Sequence, residues 1–348
     1  MYGFLGINFP HNFRVLTTKG SKCVNELVPG DKLYEYWTSN LLEVQDVIQS
    51  EIQTIWKITY SDGRSTLGIG STPVLYGDKI VPLKEAANRG KFPPIDTFAI
   101  DYNREQIIDP LFPDPYSAGA LLTYGDYADE YINLPIHGIC EPNNFIRFMH
   151  NSEIAQVLGK DKIYFSWRHT SEEKCITWKE FFPRYRSAVI SLDTVDPIIP
   201  IEYKRASITD RRKFIRGVFD VGYSKDVTPD CVATLNSTEF KLKEVQEILW
   251  SLGVLSKIVY NPMIPLLRGM NYRLEIIDKY KNYPGFFYSV NNIRKILDNN
   301  NRICSRDQDF RLKIIKIEKF NQGYTYEVVL NKKNAIYTTA NFLPRVSL

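Results

Sequence analysis

The stretch FIRGVFDVGY, residues 214–223, decides how the second half of this chain is interpreted. Its apolar residues recur at helical spacing, and Ser207 and Thr209 supply N-terminal caps just ahead of it. An amphipathic helix is therefore predicted over 208–219, with a glycine, Gly222, shortly beyond its end.

Two further helices are predicted on either side of this stretch. Residues 116–124 form a short apolar segment with small residues, and residues 239–255 show apolar positions at helical spacing with Gly253 near the end. Strand-like segments lie between the helices, at 130–134, 231–235 and 272–277. This middle region is therefore predicted to be mixed α and β.

The two ends of the chain have a different character. Residues 13–83 contain short runs rich in aromatic and β-branched residues, separated by turn signals such as Pro29-Gly30-Asp31, and strand patterns return from 310 onwards. A proline-rich connector covers 93–115. A β region that is interrupted and then resumes indicates an α+β fold in which one domain is inserted into another.

Composition sets the broad class of the protein. With 348 residues, the chain is too long for one ordinary core, and its 44% hydrophobic and 24% charged residues are typical of a soluble globular protein. A net charge of +4 permits contact with nucleic acid without requiring it. Five scattered cysteines without a CxxC spacing indicate reduced thiols and no zinc site. Neither a membrane span, a signal peptide nor an internal sequence repeat is apparent, so a cytoplasmic protein without membrane contact is expected.

The chain ends resemble the Hint (hedgehog/intein) family. The resemblance lies in residues 15–20 followed by ELVPGDKL at 26–33, which are similar to the family's opening, and in residues 324–343, which are similar to its closing block. It implies an all-β domain built from 1–104 and 303–348.

The same resemblance implies which residues should carry splicing chemistry. The family needs a thiol or hydroxyl nucleophile at its first position, a histidine in a middle block, and His-Asn at its end. The matching positions here hold Asn8, Thr72 and the pair Val346 and Ser347, and no histidine occurs in 12–136. Loss of splicing is therefore expected.

The inserted region, 105–302, resembles the LAGLIDADG homing endonucleases found within inteins. The resemblance rests on PYSAGALLTYG at 115–125 and on the stretch 214–223, which are similar to the two signature helices of that family. It implies two pseudo-symmetric halves, 105–198 and 199–302, whose sheets form a saddle over duplex DNA. It also implies that the signature helices pack together through small residues, here Gly119 and Gly217.

The metal-binding acids of that family have no counterpart in a gapless match. Tyr124 and Gly222 occupy the two positions where carboxylates would hold divalent ions that activate water. A register slip of two residues would bring Asp126 to the first position, whereas Asp220 matches an acidic position without metal ligation and Asp226 lies nearby. We therefore expect no bound metal and no cofactor, with Mg²⁺ only if the protein is an endonuclease.

A basic group precedes and enters the helix over 208–219. It could contact phosphates of duplex DNA, although Glu202 and Asp210 dilute it and a solvated helix face is the alternative. Its members are Lys204, Arg205, Arg211, Arg212, Lys213 and Arg216.

These features together predict a non-enzymatic protein that has kept an intein–endonuclease scaffold as a structural or adaptor part. Because inteins with such insertions are frequent in phage genes, a virion component of the tail, baseplate or neck is expected. Its partners would be proteins of a larger assembly, in the host cytoplasm and then in the virion. The alternatives are a duplex DNA-binding protein and a divergent metal-dependent homing endonuclease.

Overall fold

The fold comes from a computed structural model of the chain. It describes residues 8–10, 13–76, 79–90, 92–102, 115–116, 118–119, 126–127, 132–135, 154–157, 162–166, 168–171, 174–177, 199–224, 233–260, 272–277, 312–332 and 335–346.

The described part of the chain is rich in strands and has few helices. The strands, in chain order, are β1 (Asn8–Pro10), β2 (Arg14–Thr17), β3 (Gly20–Cys23), β4 (Lys32–Tyr34), β5 (Leu41–Tyr60), β6 (Ser65–Ile69), β7 (Pro73–Tyr76), β8 (Lys79–Pro82), β9 (Asp126–Tyr127), β10 (Ile132–Pro135), β11 (Ile154–Val157), β12 (Lys162–Ser166), β13 (Arg168–Ser171), β14 (Lys174–Thr177), β15 (Tyr223–Ser224), β16 (Ala233–Ser237), β17 (Ser256–Tyr260), β18 (Tyr272–Ile276), β19 (Ile314–Leu330), β20 (Ile336–Thr338) and β21 (Pro344–Val346). The helices are α1 (Leu83–Arg89), α2 (Ile201–Lys204), α3 (Ile208–Gly222) and α4 (Glu239–Ser251).

The chain divides into two compact units. The first, here called the terminal unit, comprises Met1–Tyr102, Gly253–Leu255 and Asp309–Leu348. The second, the inserted unit, comprises Asn103–Leu252 and Ser256–Gln308. Both ends of the chain therefore contribute to the same unit.

The terminal unit is organised around two long antiparallel strands from opposite ends of the chain. Strand β5 pairs with β19 in a register that runs from Tyr60 opposite Ile314 to Val44 opposite Leu330. The seven-stranded sheet has the order β1-β19-β5-β4-β2-β3, and β6 also pairs with β5. Four irregularities interrupt the β5–β19 ladder, and such bulges bend and twist a ribbon of this length.

The core of the terminal unit draws on both chain ends. Phe13, Val15 and Leu33 from the N-terminal part pack with Val328 and Tyr337 from the C-terminal part. Val15, Leu33 and Tyr337 are each no more than 1% exposed. Burial of such side chains, at about 25 cal/mol per Å² of apolar surface, holds the two pieces of chain together.

Two carboxylates in the terminal unit are fixed by lysines. Asp31 accepts hydrogen bonds from Lys22 Nζ at 2.8 and 3.0 Å and from the Val28 amide at 3.0 Å. Burial alone would raise the pKa of Asp31, but these hydrogen bonds and the charge of Lys22 outweigh it and lower the pKa. Burial likewise opposes, but does not overcome, the lowering of the Glu35 pKa by its hydrogen bonds from Lys332, Thr38 and Asn40.

The terminal unit should therefore lose stability in acid. A carboxyl whose folded pKa is depressed contributes fully above its unfolded pKa, and the contribution disappears as the pH falls through the folded value. For Asp31 the ordinary pKa is 3.8, so we expect the free energy of unfolding, measured in urea, to decline below about pH 4. Lys22→Met should flatten this decline. Equal slopes of unfolding free energy against pH for the two proteins would contradict the role of Lys22 in lowering the Asp31 pKa.

The inserted unit contains two four-stranded sheets with the same strand order. In the first, β9 pairs with β10, β10 with β12, and β12 with β11. In the second, β15 pairs with β16, β16 with β18, and β18 with β17. All of these pairs are antiparallel, so each sheet joins its first, second, fourth and third strands in that sequence. The repeat lies in the topology, since none is apparent in the sequence.

Helix α4 covers the second sheet. It begins at Thr238, whose side chain accepts a hydrogen bond from the Lys241 amide at 3.3 Å. Its buried residues Leu242, Val245 and Leu249 follow helical spacing. The helix ends at Ser251 rather than at 255, because Gly253 has a positive φ of 73° that terminates it.

Candidate functional site

Three of the predicted splicing positions, Asn8, Thr72 and Val346, lie on or beside elements that contact one another in the terminal unit. Thr72 lies in the connection between β6 and β7. Strand β1, which carries Asn8, contacts β6, and strand β21, which carries Val346, contacts β7. The fold therefore brings the elements of three predicted positions together. Ser347 lies outside the described residues.

Thr72 closes a tight hydrogen-bonded turn. Its hydroxyl accepts a hydrogen bond from the Ile69 amide at 2.9 Å, and its own amide donates to the Ile69 carbonyl at 2.9 Å. Its carbonyl accepts from the Leu83 amide at 2.7 Å, which fastens the start of α1. With 1% exposure, Thr72 is buried. Its hydroxyl therefore organises the turn.

The chemistry available at this connection is limited by the residues that occupy it. Asn8 lies opposite Glu327 in the β1–β19 register. An amide at this position supplies no nucleophile for an acyl shift, and the buried threonine at the middle position supplies no imidazole to protonate a leaving group. Thr72 is thus the one hydroxyl among the three described positions, and that hydroxyl accepts a hydrogen bond within the turn.

Removing the Thr72 hydroxyl should destabilise the terminal unit. Thr72→Val keeps the shape of the side chain but leaves the buried Ile69 amide without its acceptor, which costs about 1–3 kcal/mol. Thr72→Ser retains the hydroxyl and should cost less. Urea unfolding of the two variants measures the difference, and equal stabilities would show that the hydrogen bond contributes nothing.

The second candidate region is the helix pair of the inserted unit. Residues 115–116 and 118–119 are helical, and Gly119 lies directly against the backbone of Phe214 in α3. A Cβ atom added to Gly119 would lie 2.0 Å from the Phe214 carbonyl oxygen. Only glycine permits this approach of the two backbones.

The predicted acid positions are placed only in part. Helix α3 ends at Gly222 and leads directly into β15, while Asp220 lies in its last turn. Asp126 begins β9. Tyr124 and Asp226 lie outside the described residues, so their predicted places stay predictions. In the described part of the chain, no group of three or more His, Cys, Asp or Glu side chains is arranged to hold a metal.

The structure separates the predicted basic group. Arg211 is fully buried, and its guanidinium donates to the Ala206 carbonyl at 2.9 Å and to Ser251 through the carbonyl at 2.8 Å and the hydroxyl at 2.6 Å. It therefore joins α3 to the end of α4 and does not reach solvent. The prediction that Arg211 contacts DNA is therefore wrong, because its guanidinium is buried.

Lys204 also forms ion pairs within the inserted unit. Its ammonium lies 2.9 Å from Glu244 and 2.6 Å from Glu247. Burial would lower the pKa of Lys204, but the charges of and hydrogen bonds to these two glutamates outweigh it and raise the pKa. Lys204 therefore stays protonated, and the two glutamates neutralise its charge. Arg212 is exposed, and Lys213 lies 3.4 Å from Asp210. Arg205 and Arg216 are partly exposed, so the surface members of the group are fewer than the sequence indicates.

One face of the second sheet carries charged residues that the sequence patterns above do not predict. Leu274 and Ile276 are fully buried on one face of β18, so Arg273 and Glu275 alternate onto the other face. Glu275 is 3% exposed and lies 2.6 Å from Arg273 and 3.1 Å from Lys257. The alternation of polar and apolar residues in YRLEI is the sequence signal that could have indicated it.

Comparisons with known proteins give a partial likeness. No family model matches the chain, and no curated protein matches it. Among solved structures, the crystal structure of the gp41-1 intein is similar, with 19% identity, a TM-score of 0.21, and coverage of 23% of this chain and 59% of the intein. A form of the same intein with three substitutions gives 19% identity, the same TM-score of 0.21, and coverage of 23% and 61%. The matched region spans less than two thirds of either solved chain.

None of the helices described is both long and apolar enough to cross a bilayer.

Proposed function

We propose that this protein is a catalytically inactive, Hint-like scaffold with a LAGLIDADG-like insertion, and that it serves as a structural or adaptor protein in a larger assembly. The assembly we propose is a phage virion, with the protein in the tail, baseplate or neck. Its partners are then proteins, it has no cofactor, and it passes from the host cytoplasm into the particle.

The observation that carries this proposal is the connection around Thr72, where the predicted splicing positions hold no thiol and no imidazole. Strand β1 contacts β6 and strand β21 contacts β7, the two strands that the connection with Thr72 joins. The residues there are an asparagine, a buried threonine and a valine, and the threonine hydroxyl is committed to the turn. A scaffold that keeps its hydrogen bonds after losing its reactive groups is expected when selection acts on its surfaces.

The inserted unit supports the second part of the proposal. Two sheets with the same strand order, together with helices that meet at Gly119, fit the pseudo-symmetric arrangement that the sequence resemblance implies. Gly222 has no carboxylate, so a pair of metal-binding acids at the feet of the two helices is incomplete. Phosphodiester cleavage through such a pair is therefore not expected.

The experiment has two arms. The protein, fused between two reporter domains, should remain uncleaved and unspliced, and mass spectrometry of purified particles of the encoding phage should detect it at a fixed stoichiometry. Splicing or cleavage of the fusion would contradict the inactive scaffold. Absence from assembled particles would contradict the virion role.

A second candidate function, binding of duplex DNA, is favoured by the charged sheet face. Among the described residues of this face, Lys257 and Arg273 are two cations that lie against one carboxylate, Glu275. Binding through phosphates should weaken steeply with salt, and Lys257→Ala should reduce the salt slope by about 1. Lys243→Ala, on the exposed side of α4, is the matched control and should leave the slope unchanged. Absence of binding at low salt removes this candidate.

Adding Mg²⁺ to the same assay tests for cleavage, with Asp126→Asn as the control for an endonuclease.

A further inference from the structure

The middle of the β5–β19 pair is a ribbon that carries large apolar side chains in solvent. We call it the ribbon, and it comprises 45–54 of β5 and 315–324 of β19. Ile52 lies directly opposite Tyr324, and these side chains are 56% and 52% exposed. Phe320 is 54% exposed and Ile48 is 46% exposed. An uncovered two-stranded ribbon is only marginally stable in water, so these side chains favour a covering partner.

Along 45–49 and 315–324, the ribbon has backbone edges with which no described strand pairs. Strand β4 pairs with β5 only over 41–43 and β6 only over 55–59, so no described strand pairs with the outer edge of 45–49. On the other side, β1 pairs with β19 only over 325–327, which leaves the edge of 315–324 without a described strand. Open edges present rows of amide and carbonyl groups that pair readily with another strand.

The two edges carry opposite charge. The ribbon part of β5, 45–54, has Asp46 and Glu51 and no lysine or arginine. The ribbon part of β19 has Lys316 and Lys319 against one acid, Glu318, to which Lys316 is paired at 2.6 Å. Lysines on an edge strand normally deter pairing, but an acidic facing strand removes that repulsion. Pairing of two β5 edges, or of two β19 edges, would instead bring like charges together.

We propose that the ribbon is a self-association surface, in which the β5 edge of one copy pairs with the β19 edge of the next. Two different edges of one chain make a head-to-tail contact, and such contacts produce rings or filaments. The apolar side chains Ile48, Ile52, Phe320 and Tyr324 are then covered by the neighbouring copy. This inference rests on the proposed structural role, because it names how copies of the chain would assemble.

The test uses one substitution for each edge in the full-length chain. Ile48→Lys places a cation on the acidic β5 edge and Phe320→Glu places an anion on the basic β19 edge, so each opposes the pairing. Sedimentation velocity measures self-association over a range of concentrations. Unaltered protein should form species larger than a monomer. The dissociation constant for self-association of each variant should rise by at least about tenfold. Ile80→Lys is the matched control, since Ile80 is as exposed as Ile48, at 46%, but lies on β8 outside the ribbon. It should associate like the unaltered protein.

Mixing the two variants gives the sharpest readout. Each variant keeps the edge that the other has lost, so the mixture should form 1:1 dimers and stop there. Monomeric unaltered protein, association unaffected by both edge variants, an equal effect of Ile80→Lys, or folded variants that fail to form mixed dimers would each overturn the inference. Circular dichroism verifies that the variants are folded. If the chain is monomeric but is found in particles, this inference fails and the proposed function stands.

Discussion

Gly119→Ala should destabilise the inserted unit by about 3 kcal/mol, the upper end of the usual range for overpacked sites. The added Cβ would lie 2.0 Å from the Phe214 carbonyl oxygen and 2.9 Å from its carbonyl carbon. These are backbone atoms of α3, so no side-chain rotation can relieve the overlap. The two helices would have to move apart, which loosens the buried Phe214 and Ile215.

The direction of the stability change distinguishes close helix packing from helix propensity alone. Alanine is the better helix former by about 1 kcal/mol, so the same substitution at an open helical position would stabilise the protein. Hydrogen exchange of the α3 amides and urea unfolding measure the effect. Gly70→Ala is the control, because its nearest neighbour would be Lys84 Cβ at 3.6 Å, an ordinary contact. Stabilisation by Gly119→Ala would show that the helices are not in close contact.

The sequence predicts the local elements better than the interactions between them. Apolar periodicity indicates α3 and α4, and both form, with α3 extending three residues beyond 219 to Gly222. Alternation indicates β18 at 272–276. These patterns depend on neighbouring residues, and they are therefore visible in a single chain.

Long-range contacts explain what the sequence could not supply. Arg211 looks like a surface cation in a basic run, and only the Ser251 carbonyl and hydroxyl, brought close by the packing of α4, show that it is buried. The shared strand order of the two sheets is likewise a property of pairing, which leaves no repeated residues. Thr72 was predicted as a lost histidine position, and its hydrogen bond with Ile69 could not be inferred from residue type.

Arg64→Met should destabilise the terminal unit by about 3–5 kcal/mol, the usual consequence of removing one partner from a buried ion pair. Arg64 and Asp62 are 3% and 2% exposed, and Arg64 Nε lies 2.7 Å from Asp62. The same guanidinium donates to the carbonyls of Asn341 and Phe342 at 3.1 Å each. It therefore fastens the C-terminal segment to the turn between β5 and β6.

The loss should extend to the backbone of the C-terminal segment. Phe342 has a positive φ of 55°, which is uncommon for a residue with a side chain and persists where surrounding bonds hold it. Without Arg64, the Phe342 carbonyl loses that bond, while the Phe342 amide keeps its bond to the Thr339 carbonyl at 2.9 Å and Asn341 Nδ2 keeps its bond to the Ser65 carbonyl at 2.9 Å. Amide exchange in β20 and β21 should then accelerate more than exchange in β5.

Two comparisons decide whether the buried charge is responsible for the effect of Arg64→Met. Arg89→Met removes an exposed pair with Glu85 and a cation–π contact with the Tyr76 ring, and should cost no more than about 1 kcal/mol, because solvent screens such interactions. Replacing both partners, by Asp62→Leu with Arg64→Met, should restore part of the stability, since no uncompensated carboxylate then remains buried. A double variant less stable than Arg64→Met alone would mean that Asp62 contributes through its own contacts, such as its hydrogen bond from the Arg64 amide at 3.2 Å, and not as the partner of a buried charge.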